Sequence, residues 1–296
     1  MNQSRRRFLA TAAATAGLSG LGPLERPGLA QSPAGRRQGP RIGTVTYNIA
    51  KDWDIATIIK NLTEVGMDGV ELRTTHAHGV EITLTAAGRA EVRKRFEDSP
   101  IALGGLGTVC EYHSPNPAVV RKNVEETKAW VKLARDVGSA SVKVRPNGLP
   151  PGVPEGKTLE QIGRALKACG AAAADQGVKI QLEVHGEGTS RVPHIRTILD
   201  HADNHPAVRV CWNSNQADLL DGGLERNFRL VQAQIGQVHM RDLFLEEYPW
   251  RDLLRLLNEM GFEGYCFAEI PASTDPVRVL RYFRATFLAH QAACAV

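Results

Sequence analysis

Four side chains could do chemistry together: Glu183 in QLEVHG, Asn213 in VCWNSNQ, His239 in QVHMRDL and Glu269 in CFAEIP. Their separations are 30, 26 and 30 residues. Two carboxylates, an imidazole and an amide oxygen make a donor set for one divalent ion, such as Mn2+, Mg2+, Zn2+ or Co2+. A single strand histidine is more often a hydrogen-bonded core residue than a ligand. Four such residues at nearly equal spacing reverse that balance, provided each occupies the same place in a repeating unit.

The rest of the chain supplies that unit. From Arg41 onward, short β-like runs at 42–47, 69–73, 101–109, 141–145, 179–184, 208–213, 236–240 and 264–269 alternate with amphipathic helical patterns. The helical segments fall near 54–65, 86–97, 118–137, 158–176, 193–203, 223–234, 250–260 and 276–290. Gly66, Gly138, Gly177 and Gly261 stand where helix-terminating glycines belong, each just before the next strand. Eight such units predict a single α/β domain, a (β/α)8 TIM barrel over 41–296. A doubly wound open sheet would normally carry a Gly-rich phosphate turn, and no G-x-G-x-x-G occurs.

Side chains alternate along a strand, so each run has two faces. Ile180, Leu182 and Val184 oppose Gln181, Glu183 and His185; Val238 and Met240 oppose Gln237, His239 and Arg241. Likewise Val142 and Val144 oppose Lys143 and Arg145, and Val70 and Leu72 oppose Glu71 and Arg73. The apolar sets should meet the helices and the polar sets should point into the barrel, towards its mouth. So many inward charges require pairing, water or a metal.

The N-terminus reads differently. Ser4-Arg5-Arg6-Arg7-Phe8-Leu9 is followed by an uncharged stretch to Leu24. This resembles a twin-arginine export signal, with Gly28-Leu29-Ala30 as a cleavage site and a mature start near Gln31. The expected organisation is a cleavable signal over 1–30, a linker over 31–40 and then the barrel, in a periplasmic or other extracytoplasmic location. The segment 1–30 holds four arginines and one acid, so its loss takes the formal charge from +4 to +1. A near-neutral mature chain does not suit nucleic acid, and the signal is too weakly apolar for a lasting membrane span. Cys110, Cys169, Cys211, Cys266 and Cys294 are scattered, odd in number and lack a Cys-x-x-Cys pair, which fits small buried apolar residues.

On these residues the chain resembles the sugar phosphate isomerase/epimerase family, the xylose isomerase-like barrels. Further motifs, ELRTTHAHGVE, VCWNSNQADL, YPWRDLLRLL and TDPVRVLRYFRA, resemble its exported branch. The resemblance implies a divalent ion held by Glu, Asp, His and Glu on strands five to eight, with the two glutamates exchanging protons with a sugar. Carried over, Glu183 and Glu269 become ligands and acid/base candidates, and His239 a ligand. Asn213 stands where the family has Asp, and Gln216 where a substrate-contacting His often follows. The loss of one negative ligand implies weaker metal binding and a more electrophilic ion.

The resemblance implies isomerisation or epimerisation of a small carbohydrate through an enediolate. The alternatives are a lyase or hydratase acting on 3-keto-glycosides or 2-hydroxyglucals with the same site, and a sugar-binding barrel without turnover. DNA-repair endonucleases of the same superfamily need more zinc ligands and a basic surface. Other substrate-binding candidates are His185, Lys143, Arg145, His76, His78, Gln216 and Glu71. For Lys143 and Arg145 the competing role is pairing with Glu71 or Glu111. For His185 it is a hydrogen bond to a metal ligand. Arg241 and Asp242 are expected to form a local ion pair, and Trp212 to pack beneath helices. A homodimer or homotetramer is expected by analogy alone.

Overall fold

The computed structural model describes residues 39–294. The export signal and nearly all of the expected linker lie outside them. Among the described residues, no helix is long and apolar enough to cross a membrane.

Eight parallel strands close on themselves in sequence order. They are β1 (Arg41–Val45), β2 (Gly69–Arg73), β3 (Ala102–Glu111), β4 (Ser141–Arg145), β5 (Lys179–Glu183), β6 (Val208–Asn213), β7 (Ile235–Met240) and β8 (Tyr265–Ala268). Each is followed by a helix: α1 (Ile55–Val65), α2 (Ala86–Glu97), α3 (Pro117–Val137), α4 (Glu155–Ala174), α5 (Val192–His201), α6 (Leu224–Val231), α7 (Trp250–Glu259) and α8 (Pro276–Ala293). Two boundaries differ usefully from expectation. β3 continues through Glu111, which places that carboxylate on the strand, and the sixth helix ends at Val231 before a 3-10 turn over Gln232–Gln234. Closure is made by β1 on β8, where Ile42 pairs with Cys266 and Gly43 with Phe267.

Local chemistry explains the helices. Asp54 caps α1 by accepting the Thr57 amide at 2.8 Å, and Gly66 ends it in a left-handed conformation, with φ 80°. The buried face of α1, Ile55, Ile58, Leu62 and Val65, follows the helical period. These faces pack on the outward strand residues, including Val70, Leu72, Ile180, Leu182, Val184, Val238 and Met240, in one continuous core. Trp212 lies in that core, its ring 5.7 Å from Phe228 of α6.

The inside of the barrel has two zones. Val45, Tyr265 and Phe267 form a separate apolar cluster, with the Tyr265 and Phe267 rings stacked at 5.0 Å. Gly104 on β3 leaves the room this needs, since a Cβ there would sit 2.7 Å from the Phe267 ring. Towards the C-terminal ends the inward face turns charged. Gly107 makes room for Glu71 in the same way, at 2.7 Å from Oε1.

Candidate active site

Period-two alternation along neighbouring strands carries the inward polar residues to one level of the barrel. Glu183 ends β5, Asn213 ends β6, His239 lies in β7 and Glu269 immediately follows β8. His239 Nδ1 is 3.3 Å from Glu183 Oε1 and 3.5 Å from Glu269 Oε2. One ligand atom from each of these three residues lies within 4.8 Å of the others. The Asn213 amide reaches the same place, with Nδ2 3.5 Å from Glu183 Oε1. Turning the amide over presents its oxygen there instead.

The residues beneath this cluster set its chemistry. Glu71 is fully buried; its Oε2 accepts a 2.6 Å hydrogen bond from Gln237 Nε2 and lies 3.2 Å from His239 Nε2. With a cation bound, that carboxylate would hold the ring proton at Nε2 and leave Nδ1 to face the ion beside Glu183 and Glu269. Nδ1 is buried and has no hydrogen-bond partner on the protein. An orphaned imidazole nitrogen facing two carboxylates and an amide fits a divalent cation, so these residues suit the metal expected from the sequence.

Lys143 on β4 enters from the other side, with Nζ 2.7 Å from Glu183 Oε2 and both side chains almost entirely buried. The two oxygens of Glu183 are therefore divided, one towards Lys143 and one towards His239. Burial alone would push the Glu183 carboxyl up, but the Lys143 ammonium, with His239, outweighs it and holds the group well below the usual carboxylate range. Burial would likewise depress Lys143, and Glu183, Glu71 and Glu269 reverse this, keeping it charged.

Above the cluster opens a cavity of about 450 Å³, lined by Glu183, Asn213, Glu269, Lys143, Arg145 and His185 among the residues singled out from the sequence. His185 Nδ1 contacts Asn147 Oδ1 at 2.9 Å rather than a metal ligand, and Arg145 Nη2 meets Glu111 Oε2 at 3.3 Å.

Four of the residues expected to meet substrate are not among those lining this cavity. Glu71 lies beneath His239 as its hydrogen-bond partner. His78 is consumed by its own turn: Nε2 contacts the Arg73 carbonyl and Nδ1 accepts the Val80 amide. His76 Nδ1 meets Thr46 Oγ1 at 2.8 Å and its ring stacks on Tyr47; burial, with Arg73 nearby, lowers its pKa to about 4. Gln216 is exposed in a 3-10 turn (Gln216–Leu219) and does not line the cavity. The local Arg241–Asp242 pair is also absent among the described residues, because Arg241 Nε donates to the Ser214 carbonyl at 2.8 Å instead.

Sequence reasoning passed over Asp218, Ser214, Asn215 and Tyr47. Asp218 is buried and accepts from the Tyr248 hydroxyl at 2.7 Å and the Asn215 amide at 3.1 Å; burial raises its pKa to about 7. Trp212 Nε1 donates to the same Tyr248 oxygen at 3.0 Å, so this chain pins the turn that follows Asn213. Ser214, Asn215 and Tyr47 line the cavity from loops, where strand parity gives no signal.

A family model described as the xylose isomerase-like TIM barrel matches residues 59–286, most of the chain. The chain belongs to the xylose isomerase-like TIM barrel family. No curated protein matches it. Among solved structures, this barrel is similar to an L-ribulose 3-epimerase, with TM-score 0.73 and 16% identity, over 86% of this chain and 95% of that one. It is similar also to a 3-keto-D-glucoside 4-epimerase from E. coli, with TM-score 0.69 and 16% identity over 84% and 99%. A third, the IolI protein solved with a zinc atom, matches with TM-score 0.71 and 14% identity over 86% and 98%. At these identities the likeness is one of fold.

Proposed function

We propose that this xylose isomerase-like barrel is a metal-dependent isomerase or epimerase of a small carbohydrate. The observation that carries this reading is the convergence of Glu183, His239 Nδ1 and Glu269 within 4.8 Å at the floor of the cavity. Glu183, Asn213, His239 and Glu269 would hold one divalent ion. When bound, that ion supplies a Lewis acid that favours the enediolate form of the sugar.

The chain's own groups supply the rest. Lys143 keeps Glu183 ionised and fixes its orientation through Oε2. Glu269 carries the more accessible carboxylate, 22% exposed against 3% for Glu183. One carboxylate takes the proton from the carbon beside the carbonyl, leaving the enediolate. Return of a proton to the opposite face gives the epimer, and return to the neighbouring carbon gives the isomer. The buried His239–Glu71–Gln237 arrangement holds the imidazole in one tautomer throughout. A sugar-binding barrel has no need of two carboxylates on either side of one imidazole, which favours turnover over binding alone.

Solvent deuterium tests the reaction. Incubation of the Mn2+-loaded protein with free ketoses and 3-keto-glycosides in D2O should place deuterium beside the carbonyl without release of the aglycone. Aglycone release would assign the lyase reading, and neither outcome would refute both. The proposal includes export, on the strength of the Ser4–Leu9 motif. N-terminal sequencing of the secreted protein should begin near Gln31, and an intact Met1 would contradict it.

A further inference from the structure

The inward faces of four strands carry a second polar level. Two residues beyond Glu71, Lys143, Glu183 and His239 stand Arg73, Arg145, His185 and Arg241, and all four of the latter line the cavity. The lower level holds two carboxylates, an ammonium and an imidazole, and the upper one holds only groups that are or can become cationic. Two strand positions separate the levels by roughly 6–7 Å.

Two of these upper arginines are not neutralised by the protein. Among the described residues neither Arg73 nor Arg241 forms an ion pair. Arg73 Nη1 donates to the Thr74 carbonyl and Thr75 Oγ1, and its guanidinium lies 5.3 Å from the centre of the Tyr47 ring. Arg241 is anchored through Nε to the Ser214 carbonyl, while its Nη2 is buried without a hydrogen-bond partner on the protein. Arg145 has its Glu111 partner, yet its Nε is buried and unpartnered too. Four charged cations line the cavity, Arg73, Lys143, Arg145 and Arg241, against three carboxylates, Glu183, Glu269 and Asp242. Of those carboxylates Glu183 is already taken by Lys143, and a divalent ion below would add further positive charge.

A neutral sugar would leave Arg73 and Arg241 without an anionic partner, whereas planar guanidinium forks match an oxyanion. We infer that the substrate carries an anionic oxygen group, a carboxylate or a phosphate, held by Arg241 and Arg73 two strand positions out from the metal-type cluster. That separation suits a six-carbon ketose with its carbonyl at the floor of the site and the anion at its far terminus. The inference rests on the proposed reaction for the position of the carbonyl, but the anion site itself is tested by binding alone.

The test is calorimetric titration of the Mn2+-loaded protein with D-fructose, D-fructuronate and D-fructose 6-phosphate, at low and high salt. At least one anionic sugar should bind about tenfold tighter than fructose or better, the advantage shrinking with salt. The sugar that gains the advantage identifies the group as carboxylate or phosphate. Arg241→Gln and Arg73→Gln should each cut the anionic-to-neutral ratio severalfold. Equal affinity for all three sugars, no binding by any, or a ratio that survives both substitutions would overturn the inference. A preserved ratio without deuterium exchange would instead sink the proposed reaction and leave the anion site standing.

Discussion

The inside of this barrel is divided between two zones built on the same strands. On β8 the inward face reads Tyr265, Phe267 and then Glu269. The first two stack as rings in a dry cluster with Val45. The third reaches the metal-type cluster. On β7, Gln237, His239 and Arg241 follow the same inward parity, and the His239 ring meets Phe267 edge-on at 6.4 Å, where the zones touch. The ring zone is satisfied by its own packing. The upper zone is held by one tight Lys143–Glu183 pair and a buried Glu71–His239 contact, and it retains an imidazole nitrogen with no protein partner. The rings lie directly beneath the carboxylates on the same strands.

If this division is real, substitutions in the two zones should separate activity from stability. Glu269→Gln removes one proton carrier and one ligand charge with little change in volume. Turnover should fall by about 10²–10⁴-fold, while the melting temperature of the metal-free protein stays close to wild type. Activity within a factor of a few of wild type would break the comparison. Phe267→Ala should do the converse, costing about 3–5 kcal/mol of stability in denaturant titrations with a much smaller loss of turnover in the folded fraction.

Lys143→Met probes the buried pair. It leaves Glu183 without its ammonium partner and should cost about 3–5 kcal/mol. Added Mn2+ should recover more stability in this variant than in wild type, because a cation beside Glu183 replaces the lost charge. Equal stabilisation of both proteins would show that Lys143 and the metal do not share that carboxylate.

Asp218 gives an effect confined to a pH window, and its sign follows from its burial. In the folded chain the carboxyl keeps its proton to about 7, whereas in the unfolded chain it ionises near its ordinary value of 3.8. The unfolded state therefore binds fewer protons over that range, and stability falls as pH rises from about 4 to 7, by on the order of 4 kcal/mol at most. Asp218→Asn keeps the acceptor for Tyr248 and lacks this loss. Its melting temperature should gain on wild type between pH 5 and pH 8, and parallel curves would contradict the assignment.

Much of this could be read from residue order. The alternation of strands and helices and the inward parity of Glu183, His239 and Lys143 follow from periodicity, which the barrel enforces along every strand. Trp212 packs beneath α6 because it stands opposite Asn213 in the pleat. The loops were harder. His78 lies in a turn whose own backbone groups take up both of its ring nitrogens, while His76 is held by the Thr46 hydroxyl 30 residues away, and no local pattern shows that. Gln216 is turned outward by the short helix that buries Asp218, and the burial of that carboxyl is matched by Tyr248 reaching in from the loop before α7. Parity places Lys143 inside the barrel but not which carboxylate it meets, because that partner is 40 residues away in sequence.

Glu183, Asn213, His239 and Glu269 are proposed to hold one divalent ion. Metal content of the purified protein, measured after dialysis against Mn2+ and in parallel for Glu183→Gln and Glu269→Gln, tests it most directly. One ion per chain is expected in the wild type, with clear loss in both variants. No bound metal in the wild type, or unchanged content in both variants, would contradict it.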